Sequence, residues 1–144
     1  MLALVIVIGS MGFLGNRLYV ADYALGLFAI DVASRNVTQL KTPRDVASVG
    51  IDGLYVVGRT LVATQNGIEP QRVMQFELDA TGLEVKVQKV LMSGDPAIDD
   101  LSLGVVVGKT LVVNAHSGWS AFGDDGARNE GAPSGSTFVS IQLK

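Results

Sequence analysis

One pattern occurs three times in this chain, and it constrains the fold more than any other feature. IGSMGFLGNRLYVADY runs from Ile8 to Tyr23, IDGLYVVGRTLVATQN from Ile51 to Asn66, and LSLGVVVGKTLVVNAH from Leu101 to His116. Each copy reads as an approach loop, an apolar strand, a tight turn at a Gly-x pair and a second strand. The turn glycines Gly15, Gly58 and Gly108 stand 43 and 50 residues apart. No gap is needed between Ile8, Ile51 or Leu101 and the shared leucines Leu18, Leu61 and Leu111. A period in the forties with β patterning throughout is the signature of an array of propeller blades. The expected fold is therefore all-β, with β-propeller blades of four antiparallel strands. About three blades fall in a single partial propeller domain over residues 1–144, at about 8–40, 46–92 and 96–144.

The rest of the chain fits that frame. In the first unit, strands at Leu18–Ala21, Leu27–Asp31 and Val37–Leu40 are separated by breaks rich in Gly, Asp, Asn and Ser, which is turn chemistry. In the second, strands at Leu54–Val57, Thr60–Thr64 and Arg72–Leu78 precede EVKVQKVL as a fourth. IDVASRNV and LDATGLEV place Asp31 and Val37, and Asp79 and Val85, six residues apart, so the second hairpin repeats as well. LYVV and GVVV are apolar throughout, as expected of innermost strands packed on both faces. RVMQFEL and EVKVQKVL alternate, which predicts outer strands with one wet face. The third unit ends in one strand, Ser136–Lys144, and supplies three strands in all. Three blades do not close a ring, because propellers have roughly 4–8. The expectation is the C-terminal half of a longer propeller, with a pairing of two copies or an open arc as alternatives. An open arc leaves apolar blade edges available for self-association.

Composition narrows the function. The net charge is −3 and no basic cluster occurs, which argues against a nucleic-acid partner. There is no cysteine, so a disulfide framework, a thiol nucleophile and a Cys-based zinc site are all excluded, and cytosol and periplasm are equally compatible. The mean hydropathy of +0.37 matches many doubly buried strands. The apolar run Leu2–Ile8 is too short to span a bilayer, and no Lys or Arg precedes Arg17 to form the basic region of a signal peptide. It reads as a buried strand, or as the interior of a longer protein.

Propeller ligands sit at the channel mouth, on the loops that enter the inner strands. Those loops hold Asp45, Asp52, Asp95, Asp99 and Asp100. Carboxylates there suit a hard divalent cation. Asp52 is the leading metal candidate, since it precedes Gly53 at a strand entrance, although an Asp-Gly pair also makes a simple turn. Its counterparts in the other units are Gly9 and Ser102, so the carboxylate is not part of the repeat. His116, the only histidine, is a candidate general base or a hydrogen-bonding surface group. Asp99, Asp100, His116 and Trp119 are the candidate substrate or channel-mouth residues. GDDG at Gly123–Gly126 reads as a solvated turn or a weak cation site. No G-x-S-x-G elbow, H-E-x-x-H helix or phosphate loop is present.

GIDGLYVVGRTLVATQNG, with LYVADYALGLFAID before it, resembles the six-bladed propellers of the senescence marker protein, gluconolactonase and luciferin-regenerating enzyme superfamily. NHL-repeat proteins are a second comparison. The resemblance covers about Asn16 to Lys144. It implies a divalent metal (Ca, Mn or Zn) held in part by Asp52, and metal-dependent hydrolysis of a lactone or ester in the intact form. The family's other ligands, a glutamate near the chain start and an asparagine in a P-N-G entrance, have no counterpart here. The competing expectation is a non-catalytic scaffold that binds a protein, peptide or sugar on the propeller face.

Overall fold

The computed structural model describes residues 8–132 and 134–144. Among them eleven strands follow one another: β1 (Ile8–Leu14), β2 (Arg17–Asp22), β3 (Gly26–Asp31), β4 (Val37–Gln39), β5 (Ile51–Val57), β6 (Thr60–Gln65), β7 (Arg72–Leu78), β8 (Val85–Ser93), β9 (Gly104–Val107), β10 (Thr110–His116) and β11 (Thr137–Gln142). They form three antiparallel sheets with the strand orders β1-β2-β3-β4, β5-β6-β7-β8 and β9-β10-β11. First strands gather on one side, where β1 lies along β5 and β5 reaches β9, while later strands fan away. The chain is all-β, and its sheets are arranged as about three propeller blades. No helix among the described residues is long and apolar enough to cross a membrane.

The repeat explains why each blade starts as it does. Leu14 faces Arg17, Val57 faces Thr60 and Val107 faces Thr110, so each first hairpin closes through two residues. Gly15, Gly58 and Gly108 hold φ of +61°, +58° and +60°. The space around all three is open, so backbone conformation and not crowding demands glycine there. The second shared hairpin is equally regular. The N–H of Asp31 donates to Asn36 O and that of Asp79 to Glu84 O, at 3.0 and 2.8 Å. Each aspartate then turns its carboxylate onto the turn, that of Asp31 accepting from Ser34 N–H and that of Asp79 from Leu83 N–H and Thr81 Oγ.

Packing between blades follows strand alternation. The face of the first blade toward the second carries Tyr19, Ala21, Leu27 and Ala29, and meets Leu54, Leu61, Ala63, Met74 and Phe76. Gly12 allows that approach, since a Cβ there would lie 2.7 Å from Val56 Cγ2. The other face of the second blade carries Tyr55, Val57, Val62 and Val73, and meets Leu111, Val113, Val106 and Ile141. Polar ties cross both seams. Tyr19 Oη donates to Gly82 O at 2.9 Å, the Arg17 guanidinium donates to Thr81 O, and Lys41 N–H donates to Leu83 O at 3.0 Å. On the other seam, Gly104 N–H donates to Tyr55 Oη at 2.6 Å.

Two expectations about burial need correcting. LYVV of the second blade is covered on both faces, but GVVV of the third is covered on one: Val106 packs inward while Val105 and Val107 are exposed. No described blade lies beyond the third to cover them. The alternation of RVMQFEL predicts one wet face, yet Val73, Met74, Gln75 and Phe76 are all buried. The middle sheet is sandwiched between its neighbours, so both faces of β7 lose water. The wet outer strand is β8. Of the apolar run Leu2–Ile8, residues 2–7 lie outside the described residues.

Candidate functional site

All the candidate residues lie at the end of the blades opposite the Gly15, Gly58 and Gly108 turns, where strands are joined by longer loops. The site is organised by the register of the repeat. Tyr23, Asn66 and His116 occupy the same repeat position: Tyr23 and Asn66 directly follow β2 and β6, and His116 ends β10. Asn66 is the centre of one cluster. Its Oδ1 accepts from Tyr23 Oη at 3.1 Å, and its Nδ2 donates to Asp52 Oδ2 at 3.3 Å and to Leu101 O at 2.9 Å. One amide therefore ties all three blades together at this end. The aligned repeat ends on both Tyr23 and Asn66, but its spacing carries no sign that the two side chains bond each other.

Asp52 stands at the entrance of β5, half-buried, one residue into the strand. It brings a single carboxylate to this cluster, and the group facing it is an N–H donor from Asn66. A cation would need that direction filled by an oxygen lone pair. Among the described residues no three of His, Asp and Glu converge as a metal-holding group. The residues present do not fit a divalent ion at Asp52 by themselves.

The second cluster belongs to the third blade. Asp99 and Asp100 run beside the end of β10, with Asp100 bridged to His116 and Ser117 N–H donating to Asp100 O at 2.9 Å. His116 Nδ1 pairs with Asp99 Oδ1; the imidazole is largely covered, while the carboxylate is mostly in solvent. Asp100 accepts from Ser117 Oγ at 2.6 Å and from Ser120 N–H at 3.4 Å. Burial works against the ionised Asp100, but the Ser117 hydroxyl and the N–H groups of Ser120, Trp119 and Gly118 outweigh it and leave the carboxyl below its ordinary value. Asp100 thus shapes the loop through Oδ2, which is engaged by Ser117 and Ser120.

That loop opens into a cleft of about 660 Å³ lined by Ser117, Gly118, Trp119, Phe122, Gly123 and Asp124. A single 3-10 turn at Trp119–Ala121 starts it, and Phe122 bridges Arg128 across the following bend. Trp119 is 74% exposed and Phe122 48%, an unusual display for the two largest apolar side chains of the segment. GDDG contributes Asp124 to the rim, while the exposed Asp125 accepts from Ala127 N–H within the turn at 2.9 Å. Asp45 and Asp95, the remaining loop carboxylates, join neither cluster among the described contacts.

No protein family and no curated protein matches the chain. Solved structures do. The computationally designed Ika4 protein aligns with 93% of this chain and 64% of its own length, at 9% identity and a TM-score of 0.53. The designed Ika8 protein aligns with 77% of this chain and 43% of its own, at 9% identity and a TM-score of 0.43. The chain therefore spans less than two thirds of the designed chains it matches. At such identity the first likeness speaks for fold alone: antiparallel blades in a propeller-like arrangement.

Proposed function

We propose that this chain is a non-catalytic binding scaffold whose loop end takes a basic protein or peptide segment. The observation that carries the reading is the cleft beside Trp119, where an exposed indole and Phe122 meet the Asp124 carboxylate. An aromatic face next to an anion is the chemistry that holds a Lys or Arg side chain, by cation–π attraction and charge pairing together. Open Trp side chains are also the residues that anchor protein interfaces. The chain has one tryptophan, so its fluorescence reports this cleft alone. Titration with an Arg-rich peptide should shift Trp119 emission, and Asp124→Asn should weaken the response. A glutamate-rich peptide binding equally well, or no change up to millimolar peptide, removes the reading.

A second reading, metal-dependent hydrolysis of a lactone or ester, draws support from the place of Asp52 at a strand entrance. It requires further ligands from outside the described residues. Calorimetric titration with Ca²⁺, Mn²⁺ and Zn²⁺ decides it: binding heat present in the parent and lost in Asp52→Ala supports the reading, and equal heats end it.

A further inference from the structure

The two seams between blades obey one rule. The face each blade turns toward its successor, here called leading, packs on the trailing face of the next. In the first blade the leading face of β1 is Gly12 and Leu14; in the second that of β5 is Tyr55 and Val57. By the alignment of the repeat, the same positions in the third blade are Val105 and Val107. They are 55% and 65% exposed, and Phe138, on the same face of β11, is 65% exposed. Val112 and Leu103 complete a shallow apolar groove there. This surface has the residue types and the alternation of a seam, and no blade among the described residues covers it.

The matching surface is at the opposite end of the chain. On β1, Met11 and Phe13 alternate with Gly12 and Leu14, so they point to the trailing side, and they are 49% and 63% exposed. Their repeat equivalents are Leu54 and Val56 in the second blade and Gly104 and Val106 in the third. Leu54, Val56 and Val106 all pack into seams, and Gly104 meets Tyr55 across one. Outward along the same row, Val20 and Phe28 are buried, which leaves the β1 part of the trailing face as the open portion.

We propose that a second copy of this chain covers both surfaces, the leading face of each third blade seating on Met11 and Phe13 of the other copy. Three observations favour this occupant. The partner surface must be a trailing blade face, and this chain carries one with large apolar groups exposed. The geometry needed is continuous with the seams already formed between successive blades. Two arcs of about three blades give about six, within the roughly 4–8 at which blades close a ring. Each seam joins different patches of the two copies, and the two seams together are related by a twofold axis, so closure gives a dimer instead of a filament.

Sedimentation equilibrium over a concentration series tests this. The parent should show a concentration-dependent particle of twice the chain mass. Val105→Lys and Phe13→Lys should each weaken association by at least about 30-fold, the loss typical of a central apolar anchor. Both side chains are exposed, so thermal melts of the two variants should match the parent at dilute, monomeric concentration. Mixing the variants should restore one of the two seams, where the intact leading face of Phe13→Lys meets the intact trailing face of Val105→Lys, so the mixture should associate more strongly than either variant alone. A parent that stays monomeric to millimolar concentration overturns the proposal. So does a Phe13→Lys protein that associates like the parent, which would mean that third blades pair with each other, and so does a mixture that stays apart.

Discussion

The second and third blades begin with nearly the same strand and end in different surroundings. LYVV and GVVV are both apolar, both preceded by a loop and both closed by a Gly-x turn. In the second blade neighbours cover both faces, and even the third strand carries a buried glutamine, Gln75. In the third blade, among the described residues, only the face toward Tyr55 and Val62 is covered. The contrast teaches that strand hydrophobicity records what a face is suited to touch. What does touch it is set by the neighbouring blade and not by the strand itself.

The sharpest way to break this comparison is to truncate one large side chain in each blade. Phe76→Ala, in the doubly covered sheet, should cost about 3–5 kcal/mol in denaturant unfolding, whereas Phe138→Ala in dilute solution should stay within about 0.5 kcal/mol. Equal costs would mean that the third blade is covered after all. A smaller effect comes from the seam itself. Tyr55→Phe removes the acceptor for Gly104 N–H and should cost about 1–3 kcal/mol, with faster amide exchange at Gly104 as its local signature. Unchanged exchange there would show that the seam is held by apolar packing alone. The smallest effect is electrostatic and lies in the outer turn of the second blade. Hydrogen bonds from the Thr81 hydroxyl, then from Leu83, Thr81 and Glu84 N–H, bring Asp79 from 3.8 to about 2 despite some desolvation. A carboxyl depressed in the folded state stabilises fully above its unfolded value and loses that contribution as pH falls through its folded one. Between pH 4 and pH 2 the parent should therefore lose more thermal stability than Asp79→Asn. Parallel melting curves would show that the turn does not depend on the charge.

Much of the architecture was readable because it is written in backbone constraints. Gly15, Gly58 and Gly108 announce two-residue turns, and the spacing from Asp31 to Val37 and from Asp79 to Val85 announces a second matched hairpin; both are present. Burial was less readable. The alternation of RVMQFEL implied a wet face, but Gln75 sits in a seam that depends on residues far along the chain, such as Leu111 and Val113. Of the candidate site, chain order puts Asp99, Asp100, His116 and Trp119 on loops at one end of the blades; there Asp99 pairs with His116, and Ser117 joins Asp100 and Trp119. It did not show that Asn66 would turn an N–H toward Asp52, because an amide orientation is decided by partners such as Tyr23 and Leu101 in other blades.

The outer turn of the second sheet, gripped from the first by Arg17, Tyr19 and Lys41, has a consequence for how the molecule comes apart. Residues 17 to 85 are fastened at the periphery as well as at the hub, so the first two sheets must open together as one cooperative unit. The third has no such peripheral clasp among the described contacts and is tied to the second by Tyr55, Asn66 and Gln71, so it is the sheet expected to open at the lowest cost.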